Sequence, residues 1–228
     1  MTQIAQIVPT VGNMAARDLA YRVSGLPRGV TPDDAASILD SFFDDNRGQK
    51  PRAKVHSLGL DPLSGASQDN ITVATVSFGN RVPDQLRTAT TYYGTAKIRF
   101  RQRFLELSLT IDSDFLGFTP LNLVDDESQS IDCIAVSGLA GHAFGSWKQR
   151  GGSFMWLRDS SDWRTRNVRV LLYGYDTSMV GSESFQDIDD IGKRFGDALL
   201  DVRYLEVSTS PGSSTLFSIL DSQTATNR

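Results

Sequence analysis

Nucleophilic catalysis by serine requires a base, and the chain contains only two histidines, His56 and His142. His56 lies in Val55-His-Ser-Leu-Gly59, which contains part of the G-x-S-x-G turn on which many hydrolases carry their nucleophile. Valine takes the place of the first glycine, whose missing side chain permits the strained turn, and Asp61-Pro62 follows where a helix should begin. We therefore interpret the match as a coincidence, and His142 as a loop residue that is hydrogen-bonded or exposed.

Three carboxylates, Asp187, Asp189 and Asp190, lie close together in the sequence and could suggest acid–base chemistry. They fall in the first turns of a predicted helix, where the dipole stabilises carboxylates, so a solvated helix face is the preferred interpretation. No cluster of His, Cys and carboxylates has the spacing of a metal site, and neither a metal nor a cofactor is predicted. The single cysteine, Cys133, cannot form an intramolecular disulfide, which favours a reducing intracellular compartment.

A glycine-containing loop connects two buried-strand signals in the second half of the chain. The first strand, Ile131-Asp-Cys-Ile-Ala-Val136, continues directly into Ser137-Gly-Leu-Ala-Gly-His142. A short helical stretch, Ser153–Ser160, precedes the second strand at Val168–Tyr175. Strand, glycine turn, helix and strand form the unit from which parallel α/β sheets are wound. Taken alone the loop is weak evidence for a site, since most glycine turns after strands only reverse the chain.

A second helix with an N-terminal capping signal follows at Phe185–Arg203. Ser184 and Asp187 approximate a capping box, and apolar residues then recur at helical spacing. No later strand is predicted, and residues 206–228 are expected to form a polar tail. The apolar face of this helix consists of Ile188, Ile191, Phe195, Leu199 and Val202.

The first half of the chain predicts a separate module over residues 19–90. A strand at Tyr21–Pro27 precedes a helix that Thr31 caps and Pro32 opens, with an apolar stripe from Ala35 to Phe43. Strands at Lys54–Leu60 and Asn70–Phe78 follow, and Val82 could open a second helix. In the second of these strands the apolar residues point both ways, so either both faces are covered or a bulge resets the register.

This order of elements is that of a ferredoxin-like plait, including the RNA-recognition type. An RNA-recognition strand at Asn70–Phe78 would need a basic residue, glycines and stacking aromatics, and it offers only Phe78. The net charge of −4 gives no general attraction to nucleic acid. We therefore do not expect nucleic-acid binding, and we expect the module to serve as a protein-contact or spacer unit.

The remaining segments carry weaker signals. Residues 1–18 are expected to form a flexible leader, and residues 91–130 a connecting strand and linker. In that strand Lys97, Arg99, Arg101 and Arg103 alternate with apolar residues, which favours a solvated basic edge over a phosphate or lipid-headgroup site. No run reaches the length of a membrane span.

Residues 131–205 resemble the first half of an α/β-hydrolase, in particular the serine esterase and lipase group. That group includes SERAC-type proteins and the hydrolase-like domain of fungal NLR-type proteins. The segment Ile134–His142 resembles the family's strand and oxyanion loop, and Ser146-Trp147 a small-residue–Trp pair downstream of it. Phe154–Asp159 and Val168–Asp176 resemble its Trp-Leu helix and its Tyr-Gly-Tyr strand end.

The resemblance implies that Ser137, Gly138, Leu139 and Ala140 form an oxyanion loop, with the backbone N–H groups of Leu139 and Ala140 as the donors. The family usually has histidine where this chain has Ser137. Its nucleophile elbow should follow the helix Phe185–Arg203, where this chain has Tyr204-Leu-Glu-Val-Ser-Thr-Ser-Pro-Gly212 and no G-x-S-x-G. The nucleophile, acid and base are therefore missing, and no residue is expected to be catalytic.

The fold expected from these observations is α/β, with a ferredoxin-like plait followed by half of a hydrolase sheet that is truncated before the elbow. The expected function is that of a catalytically inactive hydrolase-like fragment, and the alternative is a non-catalytic interaction or signalling module of the fungal NLR type. A protein partner, self-association through an exposed sheet edge, or peripheral membrane contact would fit either. The resemblance also implies an intracellular location at the mitochondrion, the endoplasmic reticulum or a membrane.

Overall fold

The computed structural model describes residues 19–43, 52–64, 71–79, 82–84, 86, 95–102, 105–125, 131–138, 141–149, 152, 154–161, 163, 166–176, 188–209 and 217–221. Only the backbone is described for 95–102, 105–106, 203–209 and 217–221. These residues form a mixed α/β structure with two sheets and three α-helices. The predicted leader at 1–18, the linker at 126–130 and the capping pair Ser184 and Asp187 lie outside the described residues.

The first sheet has five antiparallel strands in the order β2-β3-β1-β5-β4. Helix α1 follows the first strand, and the predicted second helix is represented by Asp84 and Leu86, which are both helical. The strands are β1 at Ala20–Leu26, β2 at Lys54–Leu60, β3 at Thr72–Ser77, β4 at Thr95–Gln102 and β5 at Leu105–Asp112, and α1 spans Pro32–Phe42.

Helix α1 begins where its capping residues predicted. The Thr31 hydroxyl accepts a hydrogen bond from the Asp34 backbone N–H at 3.1 Å, and the Asp34 carboxylate accepts one from the Thr31 N–H at 3.3 Å. This reciprocal pair satisfies two donors that a helix start otherwise leaves unpaired. The apolar stripe then packs against the sheet, with Ala35 and Leu39 fully buried. The prediction of this helix is confirmed.

Both faces of β3 are covered, which settles the register question that its sequence raised. Every residue of β3 is buried. Ala74 and Val76 contribute to the apolar core beneath α1, whereas Thr75 and Ser77 are buried on the opposite face. The register shifts occur in the neighbouring strands, β1 and β2, and not in β3 itself. The face of β3 opposite α1 therefore carries polar side chains, Thr75 and Ser77, that are excluded from solvent.

The second sheet has four strands in the order β6-β8-β7-β9. Strand β7 pairs in parallel with β8 and β9, and β6 pairs antiparallel with β8. A 3-10 helix at Gly145–Trp147 and the short α2 connect β7 to β8, and α3 connects β8 to β9. The elements are β6 at Gly117–Pro120, β7 at Ile131–Val136, α2 at Trp156–Asp159, β8 at Val168–Gly174, α3 at Ile188–Thr209 and β9 at Phe217–Asp221.

This arrangement corrects three expectations. Residues 91–130 are not a connecting strand and linker, because β4 and β5 belong to the first sheet and Leu107, Leu109 and Ile111 of β5 are buried in its core. Of the strands in this segment, only β6 belongs to the second sheet. The segment 206–228 is not only a polar tail, since α3 continues to Thr209 and β9 follows. The strands at 131–136 and 168–174 are inner strands with a neighbour on each side, and so they present no free edge.

The second sheet buries apolar side chains on both faces. On one face Cys133, Ala135 and Val170 pack with the 3-10 helix and α2 through Trp147 and Leu157. On the other face Ile134, Leu171 and Tyr173 pack with α3 through Val202. Helices on both faces are the usual way in which a parallel sheet is shielded from water.

Arg22 of β1 joins the two sheets. Its Nε donates to the Asp112 carboxylate at 2.8 Å, and its Nη1 donates to the Leu116 carbonyl at 2.7 Å and lies 3.2 Å from the Thr119 hydroxyl. The other Asp112 carboxylate oxygen accepts the Phe115 backbone N–H at 2.8 Å. One guanidinium and one carboxylate therefore fix the chain between the last strand of the first sheet and β6.

We predict that Gly174→Ala lowers the free energy of unfolding by about 2–4 kcal/mol, because a Cβ at this position would overlap the Phe115 carbonyl, a backbone group that cannot move aside. Phe115 is itself fully buried with a φ of 56°. The matched control is Gly192→Ala on α3, where a Cβ meets nothing within 4 Å and should instead stabilise by about 0.5–1 kcal/mol. Urea unfolding measures both, and equal effects would contradict the packing described for Gly174.

A second stability prediction concerns Asp132 and Arg169, which are buried on the α3 face of the second sheet and paired by two hydrogen bonds of 2.6 Å. Arg169→Met should lower the free energy of unfolding by about 3–5 kcal/mol, because it leaves the Asp132 carboxylate buried with its main counter-charge removed. The double variant Asp132→Leu with Arg169→Met should recover much of that loss. A double variant no more stable than Arg169→Met would show that the loss is one of packing and not of charge.

Candidate functional site

The candidate site lies at the carboxyl ends of β7 and β9. From β7 the chain crosses to β8 on one side, and from β8 it returns across β7 to β9, so the strand order reverses between β7 and β9. The two crossovers cover opposite faces of the sheet, as α2 and α3 show. In α/β sheets ligands bind outside the carboxyl ends of the strands at such a reversal. The loop that starts at Ser137 leaves the sheet at this point.

Ser137 and Gly138 form the described start of this loop. Ser137 is 2% exposed, and its carbonyl accepts a hydrogen bond from the Tyr175 hydroxyl at 2.8 Å. Its own hydroxyl is buried without a hydrogen-bond partner in the part of the chain that the structure describes. The Gly138 carbonyl accepts the Gly141 N–H at 2.9 Å, which closes a tight turn. Leu139 and Ala140, the proposed oxyanion donors, lie between these residues but outside the described ones.

Gly141 lets the loop pack directly on the 3-10 helix. A Cβ at this position would lie 2.7 Å from the Ser146 hydroxyl and 2.8 Å from the Gly138 carbonyl oxygen, both too close. Ser146 in turn donates its backbone N–H to the His142 carbonyl at 3.0 Å. The predicted small-residue position at Ser146 therefore supports the loop, and glycine at position 141 has a steric reason.

His142 has both ring nitrogens engaged. Its Nε2 lies 2.8 Å from the Ser113 carbonyl, and its Nδ1 accepts the backbone N–H groups of Phe144 at 3.2 Å and Gly145 at 3.0 Å. This pattern requires the neutral tautomer with the proton on Nε2. The interpretation of His142 as a hydrogen-bonded loop residue is confirmed. Because both ring nitrogens are bonded to the backbone, neither is available to act as the base that activates a serine.

The structure brings together a second group of polar residues that the sequence did not indicate. His56 Nε2 and the Ser77 hydroxyl are 2.9 Å apart between β2 and β3. The Asp159 carboxylate of α2 accepts hydrogen bonds from Arg158, which lower its pKa most strongly, and the charge of His56 lowers that pKa further. The histidine and the serine are therefore hydrogen-bonded, and the Asp159 carboxylate is near enough to His56 for a charge interaction.

This second group has the residue types of a catalytic triad but not its accessibility. Ser77 is 2% exposed and lies inside β3, whose two faces are both covered. His56 lies within β2, so the Val55–Gly59 match to a nucleophile turn is confirmed as a coincidence. No sequence pattern could have found the group, because its members are 21 residues and more apart and only the folded chain brings them into one region.

Of the aromatic residues, Trp147 and Tyr173 are core residues, and Tyr175 supports the loop. Trp147, Trp156 and Trp163 follow one another with ring centroids 6.1 and 5.9 Å apart. Asp189 and Asp190 are exposed in the first turn of α3, which is the placement predicted for them, and Asp187 lies outside the described residues.

Among the described residues, no group of three or more His, Cys, Asp or Glu side chains is placed so that it could bind a metal ion. Within the same part of the chain, every helix is too short or too polar to cross a bilayer.

No protein-family model matches this chain, and neither a curated protein nor a solved structure matches it. The class of the protein is therefore a matter for proposal from its own residues.

We predict that Cys133 is chemically silent in the folded protein. Burial, with a smaller contribution from the Asp132 charge, raises the pKa of its thiol to about 11. Since only the thiolate attacks disulfide reagents, native protein at pH 8 should react with Ellman's reagent at least roughly a hundredfold more slowly than unfolded protein. Rapid labelling of the native protein would contradict the burial of β7.

The same raised pKa predicts the direction of a pH dependence. The folded state holds the thiol proton more tightly than the unfolded state, so this contribution to stability is complete below about pH 9 and is lost as the pH rises towards 11. Urea unfolding between pH 7 and 10 measures it, with Cys133→Ala as the control whose profile should be flatter. The stability of the control should still fall slightly as the pH rises, because burial also raises the pKa of Tyr173.

Proposed function

We propose that β6 to β9 form the oxyanion-loop half of an α/β-hydrolase-type sheet and that the chain acts as a non-catalytic scaffold of that class. The observation that carries the proposal is the strand order β6-β8-β7-β9 with only β6 antiparallel. In hydrolases of this kind the strand before the oxyanion loop lies between the next strand of the chain and the nucleophile strand. Strand β7, which leads into Ser137, occupies that position here, and β9 takes the place of the nucleophile strand.

The residues directly after β9 do not have the pattern of a nucleophile elbow. The resemblance predicts the nucleophile elbow at Tyr204–Gly212, but Tyr204 lies within α3 and the strand that follows this helix is β9. The residues at the end of β9 are Leu220-Asp-Ser-Gln-Thr224, which contain a serine without the flanking glycines of an elbow. Neither histidine supports a serine at this place, since His142 is fully bonded and His56 belongs to the first sheet.

The first sheet supports a spacer or protein-contact role for the N-terminal module. Strands β2-β3-β1-β5 follow the order of a ferredoxin-like plait, with β4 added at the edge by a hairpin with β5. An RNA-recognition plait binds bases on the sheet face that its helices leave open. In this chain that face of β1 and β2 is covered by the segment around β6, where Arg22 bonds to Leu116 and Gly59 packs against Pro120. The covered face supports a structural role over RNA binding.

We predict that a fluorophosphonate probe, which phosphonylates activated serines with loss of fluoride, forms no adduct with the folded protein. An intact-mass measurement checks this, with an active serine esterase as the positive control. An adduct that disappears on unfolding would overturn the non-catalytic assignment. Ser222→Ala and Ser77→Ala then locate it, since loss of labelling in the first implicates the end of β9 and loss in the second implicates the His56 pair.

The fold part of the proposal needs a separate measurement. Amide hydrogen exchange should show slow exchange along β7 and along β9, because these parallel strands pair over five positions. Residues of β9 that exchange as fast as an unstructured peptide would remove the hydrolase-type strand order, whatever the probe shows. Slow exchange in β9 together with a serine adduct would support the proposed strand order and would contradict only the proposal that the chain is non-catalytic.

A further inference from the structure

Strand β4 is the last strand of the first sheet, and among the described strands it has a neighbour on one side only. It pairs with β5 along its whole length, Thr95–Gln102, without a register shift. The other edge strand of this sheet, β2, is interrupted by a shift between Val55 and Ser57. A long, regular edge presents a row of backbone N–H and C=O groups with which another extended chain can pair.

One face of β4 carries a row of cations. Lys97, Arg99 and Arg101 occupy alternate positions of the strand and therefore share a face of the sheet. The residues opposite them on β5 are, in the same order, Thr110, Ser108 and Glu106. Only Arg101 thus has a carboxylate directly across the strand pair. Ser108 is exposed, so this face of the sheet is open to solvent at β5.

The other face of β4 carries an apolar row. The residues between and before the cations are Ala96, Ile98 and Phe100. Their register partners on β5 are Ile111, Leu109 and Leu107, which are buried in the core beneath α1. The apolar row of β4 therefore continues the line of the core to the edge of the sheet. A strand added beyond β4 would extend both rows with residues of its own.

We propose that β4 binds an extended segment of a partner protein as a sixth strand of the first sheet, and that this segment alternates carboxylates with apolar residues. Residues directly opposite each other in a strand pair share a face, so the carboxylates meet the cation row and the apolar residues meet the apolar row. The inference deepens the protein-contact role proposed for the N-terminal module. It does not depend on the hydrolase-type assignment of the second sheet, which the probe and exchange measurements test separately.

The charges of the row exclude a second copy of this chain as the added strand. Two β4 strands paired antiparallel about a two-fold axis would place Arg99 opposite Arg99 and Lys97 opposite Arg101. A shift of the register by two positions would still place Lys97 opposite Arg99. Like charges directly opposite each other destabilise a strand pair, whereas opposite charges stabilise it. The row therefore prevents self-pairing and favours an acidic strand.

A seven-residue peptide tests this surface, with valine at its odd and glutamate at its even positions. Its three glutamates match the three cations, and fluorescence anisotropy of a labelled peptide should show saturable binding. Arg99→Glu should weaken binding roughly tenfold, because a favourable cross-strand pair becomes a repulsive one. Arg52→Glu, at an exposed position before β2 on the opposite edge, is the matched control and should have little effect. No binding, or equal effects of the two variants, would overturn the proposal.

Exchange of charge between protein and peptide separates pairing from damage to the fold. A peptide with lysine in place of its central glutamate should bind the wild type more weakly, but should bind Arg99→Glu better than the original peptide does. Circular dichroism of the free proteins shows whether each variant is folded. If the lysine peptide gave no recovery with folded Arg99→Glu, the central glutamate would not lie opposite Arg99, and the proposed register would be wrong.

Backbone methylation tests whether the peptide is bound as a strand. Successive N–H groups of a strand point to opposite edges, so only the odd or only the even amides of the peptide pair with β4. N-methylation of one set should abolish binding, and N-methylation of the other set should leave most of it. Equal effects would show that charge alone holds the peptide and would contradict the proposal.

A single-stranded oligonucleotide provides the alternative occupant. If it bound as tightly as the peptide and Arg99→Glu weakened both equally, the cation row would be a phosphate site, and the proposal would also fail.

Discussion

The ion pair between Arg22 and Asp112 holds the architecture together. The Asp112 carboxylate is almost completely buried, and Arg22 is the cation that the structure places against it. The same carboxylate accepts the backbone N–H of Phe115, whose left-handed conformation turns the chain out of the first sheet. Charge-assisted bonds of this kind are stronger than neutral ones, which suits a joint that must hold two sheets in one orientation.

The candidate site depends on this joint through Phe115. The ring of Phe115 stacks on Phe144 and contacts the edge of His142, and the Phe115 carbonyl packs against Gly174 at the end of β8. Ser113, two residues before Phe115, holds the His142 imidazole through its carbonyl. The loop after β7 is therefore positioned by the turn that Asp112 fixes. Its histidine acts as a structural capping group for the turn at Phe144 and Gly145.

Burial is uneven between the two sides of the second sheet. The side that carries α2 is packed with large aromatic residues and lies against the first sheet, whereas α3 on the other side contributes one fully buried residue among those described.

Sequence alone determined the features that depend on short-range physics. Apolar runs, alternation and capping residues within a few positions predicted the bounds of β2 and β7, the N-cap of α1 at Thr31, and the position of Ser137 and Gly138 directly after a buried strand. The expectation that the His-Ser-Leu-Gly segment is not a nucleophile turn was of the same kind, because the residues on either side of it are wrong for that turn. Predictions from such signals hold in the folded protein because each signal depends only on residues within one helix, strand or turn.

Only the tertiary structure decided which strands belong together. Strand β5 joins the first sheet because Arg22 and Asp112, 90 residues apart, become register partners. Strand β9 consists of five residues with weak local signals, and it forms by pairing with β7. The hydroxyl of Tyr175 bonds to the carbonyl of Ser137, which lies 38 residues earlier in the chain. The same holds for His56 and Ser77, and for the apolar face of α3, whose helical period was visible in the sequence but whose incomplete burial was not. Each of these depends on contacts between distant segments, and periodicity within one segment carries no information about its partner.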